Sequence, residues 1–301
     1  MFQHSAIITR IQRYCLNDGP GTRTTLFFKG CPLNCKWCHN PENISKSQEI
    51  IVSSYKCIGC GTCQMVCPNH LDSEKCLSCG KCAQSCPSGA RELAGVEYTV
   101  NSLLKEIVCD IPFFEESGGG ITFSGGEPLI NAGFLLELLP YLKEKEIHVA
   151  LDTCGYASTE LFLQVTQQVD LVLFDLKAVT PQLHEVYTGV SNSLIIKNLS
   201  QFCELSGRQE EGADLWIRIP IIPGINDGAE EIEKMISLLG SLPSGSFSQI
   251  NLLPYHRIGQ DKYQRLGKEY TLTEIPEPSK EQMEELRKRF ISLGRPVFIG
   301  G

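Results

Sequence analysis

Eleven of the fifteen cysteines in this 301-residue chain fall between residues 31 and 86, in three tight groups. Nothing else in the sequence limits the fold as strongly, because thiols packed this closely either pair as disulfides or converge on metal. The opening stretch MFQHSAIITRIQRY lacks the basic, apolar and small-residue regions of an export signal in their usual order. A chain of this length can also bury a core without covalent staples. Close, regular spacing therefore points to thiolates gathered on metal, with zinc left open as the plainer alternative. Cys15, Cys109, Cys154 and Cys203 stand apart and read as small buried hydrophobes.

The first group, Cys31-Pro-Leu-Asn-Cys35-Lys-Trp-Cys38, follows the apolar run 24–29, which reads as a short buried strand. Three thiolates on one loop can hold three irons of a 4Fe–4S cube. With no fourth cysteine nearby, one iron stays open to a ligand, the feature that separates reactive metal sites from closed structural ones. The other two groups repeat one pattern, C-x2-C-x2-C-x3-C-P, at residues 57–68 and 76–87. It is the pattern of two-cluster bacterial ferredoxins, in which the fourth cysteine of each run serves the other cluster. One cube is thus expected on Cys57, Cys60, Cys63 and Cys86, and the second on Cys76, Cys79, Cys82 and Cys67. From about 50 to 96 the chain is rich in Cys, Gly, Pro and small polar residues, and metal ligation would there replace an apolar core.

Beyond this stretch apolar runs alternate with helical patterns. Strands are predicted at 121–124, 148–152, 170–176, 215–222 and 250–255, and helices at 131–145, 158–168, 192–205, 227–240 and 279–293. The last helix is entered through Ser279, with Gln282 in the capping-box position. Near-continuous apolar strands joined by helices imply a parallel sheet covered by helices. Six β–α units suggest an α/β partial (β/α)6 barrel, with ligand groups at the C-terminal ends of its strands. The expected organisation is 1–48 as the first part of this domain, 49–96 as a ferredoxin-like insert, and 97–301 as the remainder. A formal net charge of −8 argues against general binding to nucleic acid or an anionic membrane. No apolar run reaches the roughly 18 residues that a spanning helix needs, and a cytoplasmic protein is expected.

The segment Ser124-Gly125-Gly126-Glu127 ends the strand after the cysteine loop, where glycines let the backbone approach a ligand. With that loop it makes the sequence resemble the radical S-adenosylmethionine superfamily. More narrowly the chain resembles the glycyl radical enzyme activating enzymes. Asp18-Gly19-Pro20-Gly21-Thr22-Arg23, Phe27-Phe28-Lys29-Gly30-Cys31, Cys38-His39-Asn40-Pro41-Glu42 and Ser117-Gly118-Gly119-Gly120 carry this likeness. So do Leu151-Asp152-Thr153, Asp175-Leu176-Lys177, Trp216-Ile217-Arg218, Pro223-Gly224 and Leu252-Leu253-Pro254-Tyr255-His256.

The resemblance implies a radical SAM fold with an inserted ferredoxin-like domain, three 4Fe–4S clusters, and S-adenosylmethionine as co-substrate. Ser124, Gly125, Gly126 and Glu127 would receive its amino group, and Trp37, Cys38 and His39 would line the adenine side. Asp152, Asp175 and Leu176 would lie near the methionyl end, where a monovalent cation can sit between the two carboxylates. Lys177 and Arg218 would meet the carboxylate end or an incoming peptide, and His256 would reach the co-substrate from the last strand. Cys154 stands where formate-lyase activators carry Asn, which weakens the cation expectation. The implied partners are a glycyl radical enzyme, with the Asp18 loop against its glycine, and a low-potential donor such as flavodoxin or ferredoxin. Two rival readings remain: a radical SAM enzyme acting on a small molecule or maturing a peptide, and a ferredoxin-type electron carrier.

Overall fold

The computed structural model describes residues 4–206 and 212–301. Its strands are β1 (Ser5–Cys15), β2 (Arg23–Phe28), β3 (Ile50–Val52), β4 (Arg91–Leu93), β5 (Val96–Thr99) and β6 (Gly120–Gly125). They continue with β7 (His148–Thr153), β8 (Leu171–Asp175), β9 (Asp214–Ile221), β10 (Gln249–Pro254) and β11 (Val297–Ile299). Nine of them form one mixed sheet in the order β11-β10-β9-β8-β7-β6-β2-β1-β5. From β2 through β11 every neighbouring pair is parallel. β1 runs antiparallel to both β2 and β5, so the sheet is extended at one edge.

Alternation along each strand divides the sheet into two faces. One face carries Phe123, Val149, Leu151, Val172, Phe174, Ile217 and Ile219 into the main core. The helix Ala132–Glu144 meets it with Leu135, Leu138, Leu139 and Leu142, and the helix Thr159–Thr166 adds Phe162 and Val165. Each such fully buried side chain contributes roughly 1.5–3 kcal/mol. The opposite face holds a smaller cluster of Ala150, Leu171 and Leu173 beside Trp216. Its next residues toward the C-terminal strand ends are Ser124, Asp152, Asp175 and Arg218, and the register sets Asp175 directly beside Arg218. The helix Lys280–Phe290 opens with the reciprocal capping box of Ser279 and Gln282.

Residues 49–96 are built differently. β3 and β4 pair at the base, with Ile50 opposite Leu93. Between them lie only the short helices Ser54–Lys56, Thr62–Val66 and Lys81–Gln84, while Tyr55, Ile58, Met65 and Leu77 are all exposed. Ion pairs tie the segment to the rest of the molecule: Lys29–Glu49 at 3.1 Å, Lys268–Glu49 at 2.8 Å and Arg265–Glu92 at 3.7 Å.

One sequence expectation is corrected here. Cys109 is not buried; it caps the helix Val100–Val108 on the surface, with Sγ 3.3 Å from Lys105 O. The Asp18–Gly21 loop precedes β2, with Asp18 within electrostatic reach of Asp152 and Arg218. It is anchored there by the fully buried Arg23, whose Nε donates to Thr122 Oγ1 at 2.6 Å, and by Asp18 Oδ2, which accepts from Thr25 Oγ1 at 2.7 Å.

Candidate active site

The cysteine loop leaves the C-terminal end of β2 and is held on both sides by backbone hydrogen bonds. Cys31 N donates to Ile44 O, Asn34 N to Thr188 O, and Lys36 N to Tyr187 O. Two glycines bring the β6 end against this loop. Gly125 sits at φ +110°, and a Cβ on Gly126 would stand 2.1 Å from Gly30 O. Only glycine permits this approach, which is completed by Gly126 N to Phe28 O and Glu127 N to Gly30 O, both at 2.8 Å.

A cavity of about 230 Å³ opens where these elements meet. Cys31, Cys35 and Cys38 line it together with Trp37 and His39, the backbone of Ser124–Gly126, and Asp152, Asp175, Lys177 and Arg218. Three of the expected contacts are not in its wall. Glu127 is fully buried and turns away, its carboxylate accepting from Thr153 Oγ1 at 2.6 Å, Cys154 N at 2.8 Å and Leu129 N at 3.2 Å. It clamps the β6 end to the β7 end. Leu176 packs into the main core. His256 stands behind His39, ring on ring at 4.1 Å, with its carbonyl 3.0 Å from His39 Nε2.

Sequence reasoning passed over Pro220 and Ile222, which also line the cavity. Counting in twos from Arg218 would have put both on the same face. Cys154 lies in the wall as well, its thiol held neutral first by burial and then by the Glu127 and Cys31 charges.

The polar side chains form one chain of contacts. Ser124 Oγ donates to Asp152 Oδ2 at 2.6 Å, and Lys177 Nζ donates to Asp175 Oδ2 at 2.7 Å. Arg218 lies 3.4 Å from Asp152 Oδ1 and 3.8 Å from Asp175 Oδ1, near enough for attraction. Neither contact meets hydrogen-bond geometry, so Arg218 Nε and Nη1 and Asp175 Oδ1 are buried without hydrogen-bond partners. Burial raises the Asp152 carboxyl to about 6 despite Arg218. Burial opposes the Lys177 ammonium, but Asp175 and the neighbouring thiols outweigh it and its pKa rises. His39 falls to about 4, through burial and then His256, and is neutral near pH 7.

All three loop thiols are pushed upward by burial, Cys35 to about 12. Three thiolates here are stable only beside a strong positive charge, which an iron cluster supplies. Among the described residues no three His, Cys, Asp or Glu side chains surround a single-ion position. In the second cysteine region Cys60 lies within electrostatic reach of Cys86, and Cys82 within reach of Cys67 and Cys76.

Comparison with known proteins gives the family. A family described as "4Fe-4S single cluster domain" matches residues 17–185. A radical SAM methyltransferase from Sphaerobacter thermophilus superposes with a TM-score of 0.56 at 14% identity, over 97% of this chain and 76% of its own. The fold is therefore the α/β fold of radical SAM proteins. The trans-4-hydroxy-L-proline dehydratase activating enzyme of Clostridioides difficile is 43% identical, covering 98% of this chain and 99% of its own length. The choline trimethylamine-lyase activating enzyme of Oleidesulfovibrio alaskensis is 37% identical over 99% of both. A domain of a pyruvate-formate lyase-activating enzyme from Bacteroides vulgatus is 31% identical, with a TM-score of 0.50 over 61% of this chain and 99% of that domain. The chain belongs to the glycyl radical enzyme activating enzymes. Its function is thus enzymatic, which sets aside the electron-carrier reading. No helix among the described residues is long and apolar enough to cross a membrane.

Proposed function

We propose that Cys31, Cys35 and Cys38 hold an open-iron 4Fe–4S cluster at which S-adenosylmethionine is cleaved to activate a partner glycyl radical enzyme. One observation carries this reading: the buried, unpartnered Arg218 and Asp175 atoms lie in the same cavity as the three thiols. A cluster held by Cys31, Cys35 and Cys38 would supply one electron to the sulfonium of S-adenosylmethionine, so that the S–C5′ bond would break to methionine and a 5′-deoxyadenosyl radical able to take a hydrogen atom from a partner glycine Cα.

The protein's part is binding, orientation and exclusion of water. Arg218 Nε and Nη1 are free to donate to the methionyl carboxylate, while Asp175 Oδ1 and the carbonyls beside Gly125 can accept from the ammonium. Lys177 holds Asp175 in place. Trp37, packed against Tyr255 and Tyr263, and the neutral His39 give an apolar wall suited to adenine. Lys177 and Arg218 already lie against the two carboxylates, so a monovalent cation between Asp152 and Asp175 would compete with the ammonium for Asp175 Oδ1.

The reading includes a partial (β/α)6 barrel formed by β2 and β6–β10, interrupted at 49–96 by a ferredoxin-like insert. The nearness of Cys60 to Cys86 and of Cys82 to Cys67 supports crossed ligation of two further clusters, three in all. An external low-potential donor, flavodoxin or ferredoxin, would reduce the protein in the cytoplasm, whose reducing poise such thiols require. The test is anaerobic: reconstituted, reduced protein with S-adenosylmethionine should form 5′-deoxyadenosine and raise a glycyl radical EPR doublet in a matched partner. Cleavage without a doublet in any glycyl radical enzyme would overturn the partner assignment. Failure to cleave would overturn the site.

A further inference from the structure

The connection from β8 to the helix Ser193–Ser206 does two things at once. Its start carries Asp175 and Lys177 into the cavity. Its middle, the helix Pro181–Thr188, turns its last carbonyls onto the cysteine loop: Thr188 O accepts from Asn34 N at 2.7 Å and Tyr187 O from Lys36 N at 3.0 Å. Side chains reinforce the junction. The Tyr187 ring is near Trp37, with centroids 6.3 Å apart, and Lys36 Nζ lies 4.8 Å above it.

The first half of this connection is pinned by buried groups. Asn226 Nδ2 donates to Lys177 O at 2.9 Å, Asn192 Nδ2 donates to Ala178 O at 3.0 Å, and the Glu231 carboxylate accepts from Val179 N and Thr180 N. His184 braces the second half, beside the Thr188 hydroxyl, which donates to Val190 O at 3.4 Å. The histidine is 1% exposed, with Nδ1 2.7 Å from Val190 O and 2.9 Å from Thr188 Oγ1. A carbonyl only accepts, so Nδ1 carries the proton and donates to Val190 O. Burial keeps the ring neutral. The imidazole thereby holds the turn after the helix, where Gly189 sits at φ +84°, in the shape that aims the Tyr187 and Thr188 carbonyls at the cysteine loop.

We propose that His184 is a positioning residue for the Cys31–Cys38 loop, acting through Val190 and Thr188 to hold the helix Pro181–Thr188 as a clamp on the catalytic cluster. It touches neither the cavity nor the thiols. The inference rests on the reading of Cys31, Cys35 and Cys38 as cluster ligands.

Its consequence is selective. Loss of the clamp should loosen the cluster on this loop and leave those on Cys57–Cys86 unchanged. The test compares reconstituted parent, His184→Leu and His184→Asn under a chelator challenge, reading iron retained and amide exchange in the peptide containing Asn34 and Lys36. Leucine fills the space without a donor, whereas the asparagine amide can replace Nδ1–H. In His184→Leu about one third of the iron should leave roughly three- to tenfold faster, the rate equivalent of one hydrogen bond, and exchange at Asn34 and Lys36 should rise. His184→Asn should behave as the parent.

Unchanged iron loss in His184→Leu, equal loosening of all the iron, or failure of His184→Asn to rescue would each overturn the proposal. Should His184→Leu not fold, Thr188→Val decides: a smaller loss of the same third supports the clamp, and parental behaviour overturns it. Cys35→Ala serves as the reference. If it leaves the parent's iron content unchanged, the ligand reading itself is wrong; if it removes that third while His184→Leu is inert, only the clamp fails.

Discussion

The molecule carries cysteines in two settings. Cys31, Cys35 and Cys38 stand on a loop hydrogen-bonded from both sides, above a sheet whose core residues are almost wholly buried. Cys57, Cys60, Cys76 and Cys79 are exposed, on a segment with several exposed apolar side chains and little core of its own. Burial raises the first set of thiols, while in the second set only the buried Cys82 is raised, and Cys60 and Cys86 are lowered, chiefly by hydroxyl contacts with Thr62 and Ser88. The same ligand thus serves opposite ends. On the proposed ligation, the protein shapes the metal site in the first setting and the metal shapes the protein in the second.

The strongest way to break this distinction is by substitution. Cys35→Ala should reduce 5′-deoxyadenosine formation to the no-enzyme level, measured chromatographically under dithionite, while Cys60→Ala should still support a single turnover. Loss of that turnover in Cys60→Ala would erase the difference. Iron removal comes next. Chelation should release amide protection across 54–90 while β6 to β10 stay protected in hydrogen-exchange mass spectrometry.

A smaller effect is expected from Glu127→Gln, which weakens a fully buried acceptor of three hydrogen bonds. Stability should fall by about 1–3 kcal/mol in anaerobic urea titration, and KM for S-adenosylmethionine should rise as Asp152 shifts. The smallest concerns pH. A folded-state value of about 6 for Asp152 lies above its ordinary 3.8. The folded state therefore holds this proton more tightly, and stability drops as pH rises from 3.8 toward 6. Asp152→Asn should flatten this slope in a pH series of urea midpoints; an unchanged slope would show that other groups set it.

The six parallel strands β2 and β6–β10 were legible because each is a near-continuous apolar run, as strands covered on both faces must be. β1 was not. SAIITRIQRYC buries residues irregularly, turns left-handed at Tyr14 just before its end, and gains its identity only by pairing with β2 and β5. β11 has three residues, two of them exposed. In the site, the cysteines and the Asp152, Asp175, Lys177 and Arg218 set could be read, since ligand chemistry belongs to the residue and strand alternation fixes the face. Where Glu127 points could not, because that depends on the turn made by Gly125 and Gly126. His184 left no trace for the same kind of reason: its role lies in which carbonyls a helix end presents to a loop about 150 residues earlier in the chain.

The pairing of Ile50 with Leu93 means that residues 49–96 leave and rejoin the chain at adjacent points. Their attachments to the rest of the molecule include ion pairs at Glu49 and Glu92. On the proposed division of the chain, such a segment is a cassette. Cut at β3 and β4 and closed by a two-residue hairpin turn, the chain would keep the cysteine loop, β6 and the cavity in register. A lineage could thus gain or shed two clusters in one genetic event without redesigning the site they accompany.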